Sequence, residues 1–434
     1  MTMATGESRK WGWYYGWNIV GVCVLAGIAA SALPINAFSL FLSGWSAQLH
    51  APVSTLQLGL GSCGLGCALF SPLVGILADK YPGRWLFAVG LAGMALFCLG
   101  ISFVTKIWEY LVLYAVVGPV SILLSTSLLA NAVVSRWFVR RLGLALSLTA
   151  VGLGMAGIVM PPIVAATMPT LGWRGIWRIG GIIIGVIILP LVIAVLRDRP
   201  TERDGVYYIT PASSAVSHHH SHGPGGLRWR DILARRNFWL LVIVYVPMLA
   251  LYGGCGQNVA PIATSRGLSQ QTAGVLLSLL SLSQLAATLV VGLLSDRFGN
   301  RLPLAGLAFG TAIGGVLVAF GTGAATLGLG IILAGFGGAF WPLIAAAAAV
   351  EFGASSVGRV FGLVTFFLPL TVLAPFAVAK TQETTGSYTP ALLVITALTV
   401  AGGAACALLM RERRKGNLSA SDVSVAGESA DSPA

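Results

Sequence analysis

Long apolar runs alternate with short polar interruptions along almost the whole chain. A helix needs about 20 apolar residues to cross the hydrocarbon core of a bilayer, and the sequence contains twelve runs of that order. The pattern therefore predicts twelve membrane-spanning helices. Their expected bounds are 17–40, 55–78, 85–104, 109–133, 143–168, 175–196, 238–262, 271–294, 302–321, 325–350, 359–380 and 388–410.

A charged hairpin recurs between two of these runs in each half of the chain. Its first copy reads Gly-Ile-Leu-Ala-Asp-Lys-Tyr-Pro-Gly-Arg over 75–84, and its second reads Gly-Leu-Leu-Ser-Asp-Arg-Phe-Gly-Asn-Arg over 292–301. The two aspartates, Asp79 and Asp296, are 217 positions apart. Such a repeat indicates a duplicated membrane unit, which is typical of secondary transporters. The alternative is that the hairpins only orient the helices in the membrane.

The composition indicates a chain that faces lipid. Of its 434 residues 56% are hydrophobic and 9% are charged, with a mean hydropathy of +0.86, whereas soluble domains carry about 25% charged residues. The net charge of +12 does not indicate nucleic-acid binding, because the bases are scattered between helices rather than gathered on one face. Twenty-one of the 26 Lys and Arg residues fall on one side of the predicted arrangement. The positive-inside rule therefore predicts a multi-pass protein of the cell inner membrane with both termini in the cytoplasm.

The longest polar stretch divides the predicted helices six from six. We expect an N-terminal six-helix bundle over 1–196, a cytoplasmic linker over 197–237, a C-terminal six-helix bundle over 238–410 and a disordered cytoplasmic tail over 411–434. The linker contains a histidine cluster at His218–His222. One interpretation is that this cluster binds a transition metal, but no Cys or carboxylate accompanies the imidazoles. We therefore expect a solvated linker and neither a metal site nor a cofactor.

Glycines and cysteines inside the apolar runs are expected to serve packing. The glycines form two groups that would let neighbouring helices approach and slide: Gly59, Gly61, Gly64 and Gly66, and Gly152, Gly154 and Gly157. The six cysteines have no metal-ligand or disulfide spacing. We expect them to be small buried side chains rather than redox groups.

Three further segments resemble a known family of membrane proteins. They read Tyr-Tyr-Gly-Trp-Asn at 14–18, Ser-Arg-Trp-Phe-Val-Arg-Arg-Leu-Gly at 135–143 and Gly-Arg-Val-Phe-Gly at 358–362. Together with the hairpins and the six-plus-six arrangement, they resemble the major facilitator superfamily and, within it, the monocarboxylate and oxalate–formate porter group. The resemblance implies an all-α membrane protein in which two pseudo-symmetric six-helix bundles rock around a central site.

The resemblance also implies a conformational latch at the cytoplasmic ends of the helices. In the family the hairpin acid of one half meets the start of a helix in the other half, which here pairs Asp79 with the region of Arg359 and Asp296 with the region of Arg141. An acid is stabilised beside a helix N-terminus and an arginine, and such a contact can break in another conformation. The other basic residues expected in this latch are Arg84, Arg297 and Arg301.

Neutral side chains are the expected contacts of the central site, because no acid or base falls near mid-membrane in the predicted helices. Asn36 lies close to Pro34, and Gln257 and Asn258 lie close to Pro261. A proline in a spanning helix frees a backbone carbonyl and creates a polar notch. Each of these three amides therefore either binds substrate or joins helices. The other candidates, which either line the cavity or pack, are Tyr114, Tyr252, Gln284, Trp341 and Phe366.

These features favour a transporter of a small organic solute, most directly a monocarboxylate or an aromatic acid. Without a titrating side chain at depth, three modes stay open: a coupling proton carried on the substrate, facilitated diffusion, and exchange for a counter-anion. Rival substrates are an uncharged metabolite or vitamin and an amphipathic compound that is exported. A sensor is disfavoured because no signalling domain flanks the helices, and an enzyme because no catalytic constellation lies near the membrane centre. The expected partners are the solute and the lipid bilayer, and the protein is expected to be monomeric.

Overall fold

The computed structural model describes residues 14–138, 142–197, 229–340, 344, 347, 351–352 and 357–409. Every regular element in these ranges is a helix, which confirms the all-α prediction. Helices suit lipid because each backbone N–H and C=O finds its partner within the same segment. The predicted tail, the histidine cluster, Arg141 and Trp341 lie outside the described residues.

Nine helices form the N-terminal part of the described chain. They are α1 (Gly16–Ser31), α2 (Phe38–Leu49), α3 (Val53–Lys80), α4 (Gly83–Phe103), α5 (Ile107–Val112), α6 (Gly118–Ser125), α7 (Ser127–Trp137), α8 (Leu142–Ile182) and α9 (Leu189–Val195). Helix α4 packs against α6 and α8, and α1 also packs against α8.

Nine further α-helices form the C-terminal part of the described chain. They are α10 (Trp229–Leu233), α11 (Arg236–Gln257), α12 (Val259–Ser265), α13 (Gln270–Phe298), α14 (Arg301–Phe320), α15 (Ala324–Ala334), α16 (Val357–Thr365), α17 (Leu368–Thr385) and α18 (Thr389–Leu409). Helix α14 packs against α15 and α18, and α11 packs against α17 and α18.

Ten helical segments of the described chain are long and apolar enough to cross a membrane. One of them, Leu144–Val195, has 52 residues, more than twice the length that a bilayer of about 30 Å requires. Gly172 interrupts it with φ 62° and ψ 170°, inside the gap that the sequence predicts between the fifth and sixth spans. A shorter apolar helix, Ala324–Ala339, covers only the first part of the predicted tenth span, whose remainder is incompletely described. These helices are those of a multi-pass membrane protein, and the count of twelve stays a prediction.

The first predicted span contains a wide turn. The candidate span Gly16–Asn36 ends before the expected end at residue 40, and α2 then extends from Phe38 to Leu49. Between α1 and α2 the backbone forms a π-helical turn, Ala32–Asn36, in which the N–H of Ala37 donates to the carbonyl of Ala32 at 2.9 Å. Pro34 explains the turn, because proline has no N–H and its ring crowds the carbonyl four residues earlier. Similar turns precede two other prolines, at Leu113–Val117 before Pro119 and at Ile183–Ile188 before Pro190.

The two charged hairpins connect their helices through different backbone conformations. Gly299 follows α13 at φ 78°, a conformation that glycine adopts without steric cost. In the first hairpin Tyr81 has φ −113° and Pro82 has φ −59°, so no residue there needs a positive φ. The proline in the first copy is accommodated because its fixed φ suits the residue that precedes a helix.

Two faces of the bundle are distinguished by their connections. The hairpin face carries the connections at 81–82 and 299–300, and the opposite face carries the connections at 50–52, 266–269 and 386–388. Helices α3 and α13 run from the opposite face to the hairpin face, and α17 ends at the opposite face.

The most extensive contacts between the N-terminal and C-terminal parts are those of α3 with α17 and of α8 with α13, and α2 also packs against α12. A Cβ added at Gly64 would lie 3.2 Å from Cγ2 of Val372, and one added at Gly157 would lie 2.9 Å from Cβ of Ser281. These two glycines therefore allow close contact between the parts. The remaining glycines of the two predicted groups differ: Gly61 also meets Val372, Gly59, Gly66 and Gly152 meet helices of their own part, and Gly154 has nothing within 4 Å.

Candidate functional site

A cavity of about 250 Å³ lies between the N-terminal and C-terminal helices. Its walls are mainly α3 on one side and α11 and α17 on the other. The lining residues are Ile35, Gln57, Leu60, Gly61, Cys63, Gly64, Cys67, Ile122, Leu249, Tyr252, Gly253, Gln257, Leu368, Thr371, Val372 and Pro375. None of these sixteen residues is Asp, Glu, Lys, Arg or His. An apolar cavity with a few placed polar groups is the usual form of a small-molecule site.

Two amide side chains and several backbone carbonyls form a network beside this cavity. Gln57 Nε2 donates to the backbone oxygen of Gln257 at 2.9 Å and to Asn258 Oδ1 at 3.2 Å. Asn258 is fully buried, and its Nδ2 donates to the carbonyls of Gly254 at 2.9 Å and Pro375 at 3.2 Å. The network therefore joins α3, the α11–α12 junction and α17.

The break between α11 and α12 supplies the acceptors of this network. Pro261 has no N–H to give to the carbonyl four residues earlier, which belongs to Gln257. That carbonyl accepts from Gln57 instead. Asn258 stands at the junction with φ −110° and ψ 8°, outside the α-helical geometry of the two helices that it separates.

Gln57 is not among the side chains that the sequence predicts for the site. It is 1% exposed, so α3 places it inside the protein rather than against lipid. The available signal is a lone amide near the start of the predicted second span. Such an amide indicates a place in the site only when a facing helix offers carbonyls to it.

Tyr252 and Gln284 form a second polar pair. Tyr252 lines the cavity, and its hydroxyl donates to Gln284 Oε1 at 2.7 Å. Gln284 Nε2 donates in turn to the carbonyl of Gly338 at 3.3 Å. Gln284 therefore lies behind Tyr252 and orients its hydroxyl.

Asn36 lies near the contact of α8 with α13. Its Nδ2 donates to the carbonyl of Ser31 at 3.0 Å across the π-helical turn. A Cβ added at Gly157 would lie 2.8 Å from Asn36 Oδ1. The neighbouring residue Ile35, not Asn36, lines the cavity.

The other aromatic candidates lie outside the cavity lining. Tyr114 is fully buried among Phe38, Phe97 and Tyr110, whose ring centroids are 5.9, 5.1 and 4.7 Å away. Phe366 is 77% exposed at the break between α16 and α17. Packing is the role that the position of Tyr114 favours.

Hydrogen bonds across the two parts also close the opposite face. The Glu383 carboxylate at the end of α17 accepts from the backbone N–H of Ser54 at 2.9 Å and from its hydroxyl at 2.8 Å. Ser54 lies in the first turn of α3, where a carboxylate is favoured by the helix dipole. Two further contacts support this closure: Ser39 Oγ accepts from the N–H of Ala260 at 2.8 Å, and Gln270 Nε2 donates to the carbonyl of Leu40 at 2.8 Å.

Four arginines of the predicted latch are described, and they lie at the hairpin face. Arg84 is in the first turn of α4, Arg297 is exposed in the last turn of α13, and Arg359 is exposed in α16. Arg301 begins α14 and donates to the carbonyl of Ala407 in α18. The side chains of Asp79 and Asp296 lie outside what the structure describes, so their pairing stays a prediction.

Comparison with known proteins finds a family that matches this chain. A model of the Major Facilitator Superfamily matches residues 24–259 and 257–427. The two matches together cover most of the chain.

Curated relatives match over nearly the same length. Monocarboxylate transporter 12 of Mus musculus is 26% identical over 414 residues, which cover 88% of this chain and 82% of the mouse protein. Monocarboxylate transporter 13 of Bos taurus is 26% identical over 408 residues, covering 91% of this chain and 89% of the bovine protein. Monocarboxylate transporter 11 of Homo sapiens is 25% identical over 376 residues, covering 82% of this chain and 74% of the human protein.

The fold is also similar to that of solved structures. A bacterial homolog of the human lysosomal transporter Spinster, in an inward-facing and unoccupied conformation, superposes with a TM-score of 0.70. The match covers 92% of this chain and 96% of that protein at 12% sequence identity. At this identity the likeness is one of fold.

Proposed function

The chain belongs to the Major Facilitator Superfamily, and we propose that it carries a small organic solute across the membrane by alternating access, with a monocarboxylate or an aromatic acid as its substrate. It is a multi-pass membrane transporter. The substrate, its coupling and the mechanism are the proposed parts.

The position of the cavity is the observation that carries this proposal. Its walls come from α3 of the N-terminal part and from α11 and α17 of the C-terminal part. A rocking motion of one part against the other would therefore open the cavity to one side and close it to the other. The small residues at the contacts of α3 with α17 and of α8 with α13 suit surfaces that slide.

The substrate class is proposed from the relatives and the lining together. The curated relatives are named monocarboxylate transporters. The apolar wall of Leu60, Leu249 and Val372 with the ring of Tyr252 suits the hydrocarbon or aromatic body of an organic acid. The amides of Gln57 and Gln257 suit its head group.

The arrangement around the cavity completes the proposal. Two six-helix bundles, 1–196 and 238–410, would rock about the linker 197–237, with the tail 411–434 and both termini in the cytoplasm of a monomeric inner-membrane protein. Asp79 with Arg359, and Asp296 with Arg141, would latch the hairpin face in one conformation and release it in the other. Arg84, Arg297 and Arg301 would hold the hairpins in place.

An uncharged metabolite is the second candidate substrate. The absence of any Asp, Glu, Lys, Arg or His among the sixteen lining residues favours it, because a bound anion would lose its hydration without gaining a cationic partner.

Uptake into proteoliposomes tests the proposal. The purified full chain should take up labelled monocarboxylates with saturable kinetics, and unlabelled aromatic acids should compete. Saturable uptake of neutral solutes alone, with no carboxylate competing, would replace the first substrate class by the second. Absence of saturable uptake of any solute in such a panel would refute transport of small organic solutes.

A further inference from the structure

The hydrogen-bonding pattern of the cavity wall specifies the head group of the solute. We propose that the bound head group is uncharged and donates a hydrogen bond to Gln57 Oε1, so that an organic acid binds in its undissociated form. This inference rests on the proposed function and deepens it.

Gln57 presents a fixed acceptor. An amide NH₂ has two hydrogens to donate, and those of Gln57 go to the carbonyl of Gln257 and to Asn258 Oδ1. Turning the amide over would place its oxygen against these two oxygens. Gln57 Oε1 is buried and has no hydrogen-bond partner among the described residues, although the residue lines the cavity.

Asn258 fixes the direction of this network from behind. Both hydrogens of its Nδ2 are donated, to the carbonyls of Gly254 and Pro375. Asn258 Oδ1 must therefore accept, and Gln57 must be the donor. The orientation of Gln57 Oε1 thus follows from backbone carbonyls that cannot themselves donate.

The two hydroxyl groups of the wall already donate their protons to protein acceptors. The Thr371 hydroxyl donates to the carbonyl of Leu368 at 2.7 Å, and the Tyr252 hydroxyl donates to Gln284 Oε1 at 2.7 Å. Gln257 Oε1 is a second buried acceptor without a partner in the described structure. The wall therefore offers mainly lone pairs, and Gln257 Nε2 is the amide donor that remains for a carbonyl oxygen of the solute.

A carboxylate fits this wall poorly. An ionised carboxyl group only accepts hydrogen bonds, so it would meet Gln57 Oε1 as a second acceptor, and a buried acceptor without a donor costs about 1–3 kcal/mol. An undissociated carboxyl group offers its O–H to Gln57 Oε1 and its carbonyl to Gln257 Nε2. A primary amide or a hydroxyl group offers the same donor.

The consequence for an acid is that the proton travels on the solute. The acid is protonated in the water on one side, crosses as a neutral molecule and dissociates on the other side. Proton and carboxylate therefore move together without a change of net charge and without a titrating side chain in the cavity lining.

Binding to the purified full chain tests this with benzoic acid, 4-nitrobenzoic acid, benzamide and methyl benzoate. For each acid, the apparent Kd calculated on total concentration should rise about tenfold per pH unit above the pH at which that acid is half dissociated. The pH at which the apparent Kd begins to rise should be lower for 4-nitrobenzoic acid, because it is the stronger acid. Benzamide should bind independently of pH, and methyl benzoate, which has no donor, should bind at least about tenfold more weakly.

The Gln57→Met variant should lose the preference for benzamide over methyl benzoate. Gln48→Met is the matched control, because Gln48 contacts Arg174 outside the cavity lining, and it should keep the preference. If Gln57→Met does not fold, the pH series on the unaltered protein still tests whether the acid binds in its undissociated form.

Three results would overturn the inference: a benzoate Kd that does not change with pH, a common pH midpoint for both acids, or equal binding of amide and ester. Failure of all four compounds to bind, alongside saturable uptake of another carboxylate, would also count against it and leave transport intact. Absence of any saturable uptake would refute the proposed function instead.

Discussion

At the scale of single residues, Asn258 and Gln257 are adjacent in sequence but differ in role. Asn258 is fully buried, and its amide is hydrogen-bonded to Gln57, Gly254 and Pro375. Gln257 lines the cavity and contributes a backbone carbonyl to the network. Asn258 is thus a positioning residue, and the Gln257 side chain is free to meet a solute.

Substituting the two residues should separate these roles. Asn258→Ala removes the partner of two buried carbonyls and of Gln57, so we expect a loss of about 1–3 kcal/mol of stability, measured as a lower midpoint of thermal unfolding in detergent. Gln257→Ala should leave that midpoint nearly unchanged and weaken solute binding several-fold. Equal effects of the two substitutions on both readouts would contradict the distinction.

At the scale of helices, α8 contains two glycines with different surroundings. Gly157 faces Ser281 of α13 and Asn36, whereas a Cβ at Gly154 would meet nothing within 4 Å. The sequence places both in one glycine group, because spacing alone does not tell which side of a helix meets a partner. Only the packing of α8 on α13 distinguishes them.

Leucine substitutions at these two positions form a matched pair. Gly157→Leu should push α8 away from α13, costing about 1–3 kcal/mol and slowing transport, whereas Gly154→Leu should be tolerated. Thermal unfolding and initial uptake rates in proteoliposomes measure both effects. An unimpaired Gly157→Leu transporter would show that this contact is not needed in any state of the cycle.

At the scale of the whole molecule, the two parts are held together at the opposite face by a carboxylate on a helix N-terminus. Glu383→Gln removes the negative charge from the N-terminus of α3 and weakens the charge-assisted hydrogen bonds to Ser54. A loss of about 1 kcal/mol of interaction free energy would shift the equilibrium between the closed and open forms of the opposite face about fivefold towards the open form. The measurement is the rate at which Cys67, which lines the cavity, reacts with an impermeant thiol reagent added at that face.

The neighbouring Lys380 provides the control for this prediction. Its ammonium lies 3.3 Å from Glu383 in a pair that is 53% exposed on the lysine side, and exposed pairs contribute little. Lys380→Gln should leave the labelling rate of Cys67 nearly unchanged. A labelling rate unaffected by Glu383→Gln as well would remove Glu383 from the closure of this face.

A corresponding prediction concerns Asp296 at the hairpin face. If Asp296 latches this face, Asp296→Asn should slow transport several-fold while equilibrium binding of solute stays the same, since no latch residue is among those that line the cavity. Uptake rates and binding to the purified protein are the two readouts. Glu109→Gln is the control, because Glu109 accepts from the N–H groups of Thr105 and Lys106 and so caps its own helix. Loss of binding alone in Asp296→Asn would contradict the latch.

Particular residues show how far the sequence leads at the site. The position of Pro261 predicts a freed carbonyl beside Gln257, and the structure contains it. Tyr252 and Gln257 line the cavity, whereas Asn36 and Tyr114 do not. Gln57 could not be selected from the sequence, because a buried amide in an apolar run becomes meaningful only through the carbonyl and amide that another helix brings to it.

The sequence by itself determined the helical class, the membrane setting, the charged hairpins and the uncharged character of the helix interiors. These properties follow from local composition, because about 20 apolar residues in a row have one stable environment and one way to satisfy their backbone in it. Tertiary structure alone decided which polar groups share the cavity and which face is closed by Glu383. Those contacts join residues 200 or more positions apart, and they depend on how the helices pack rather than on where each helix begins and ends.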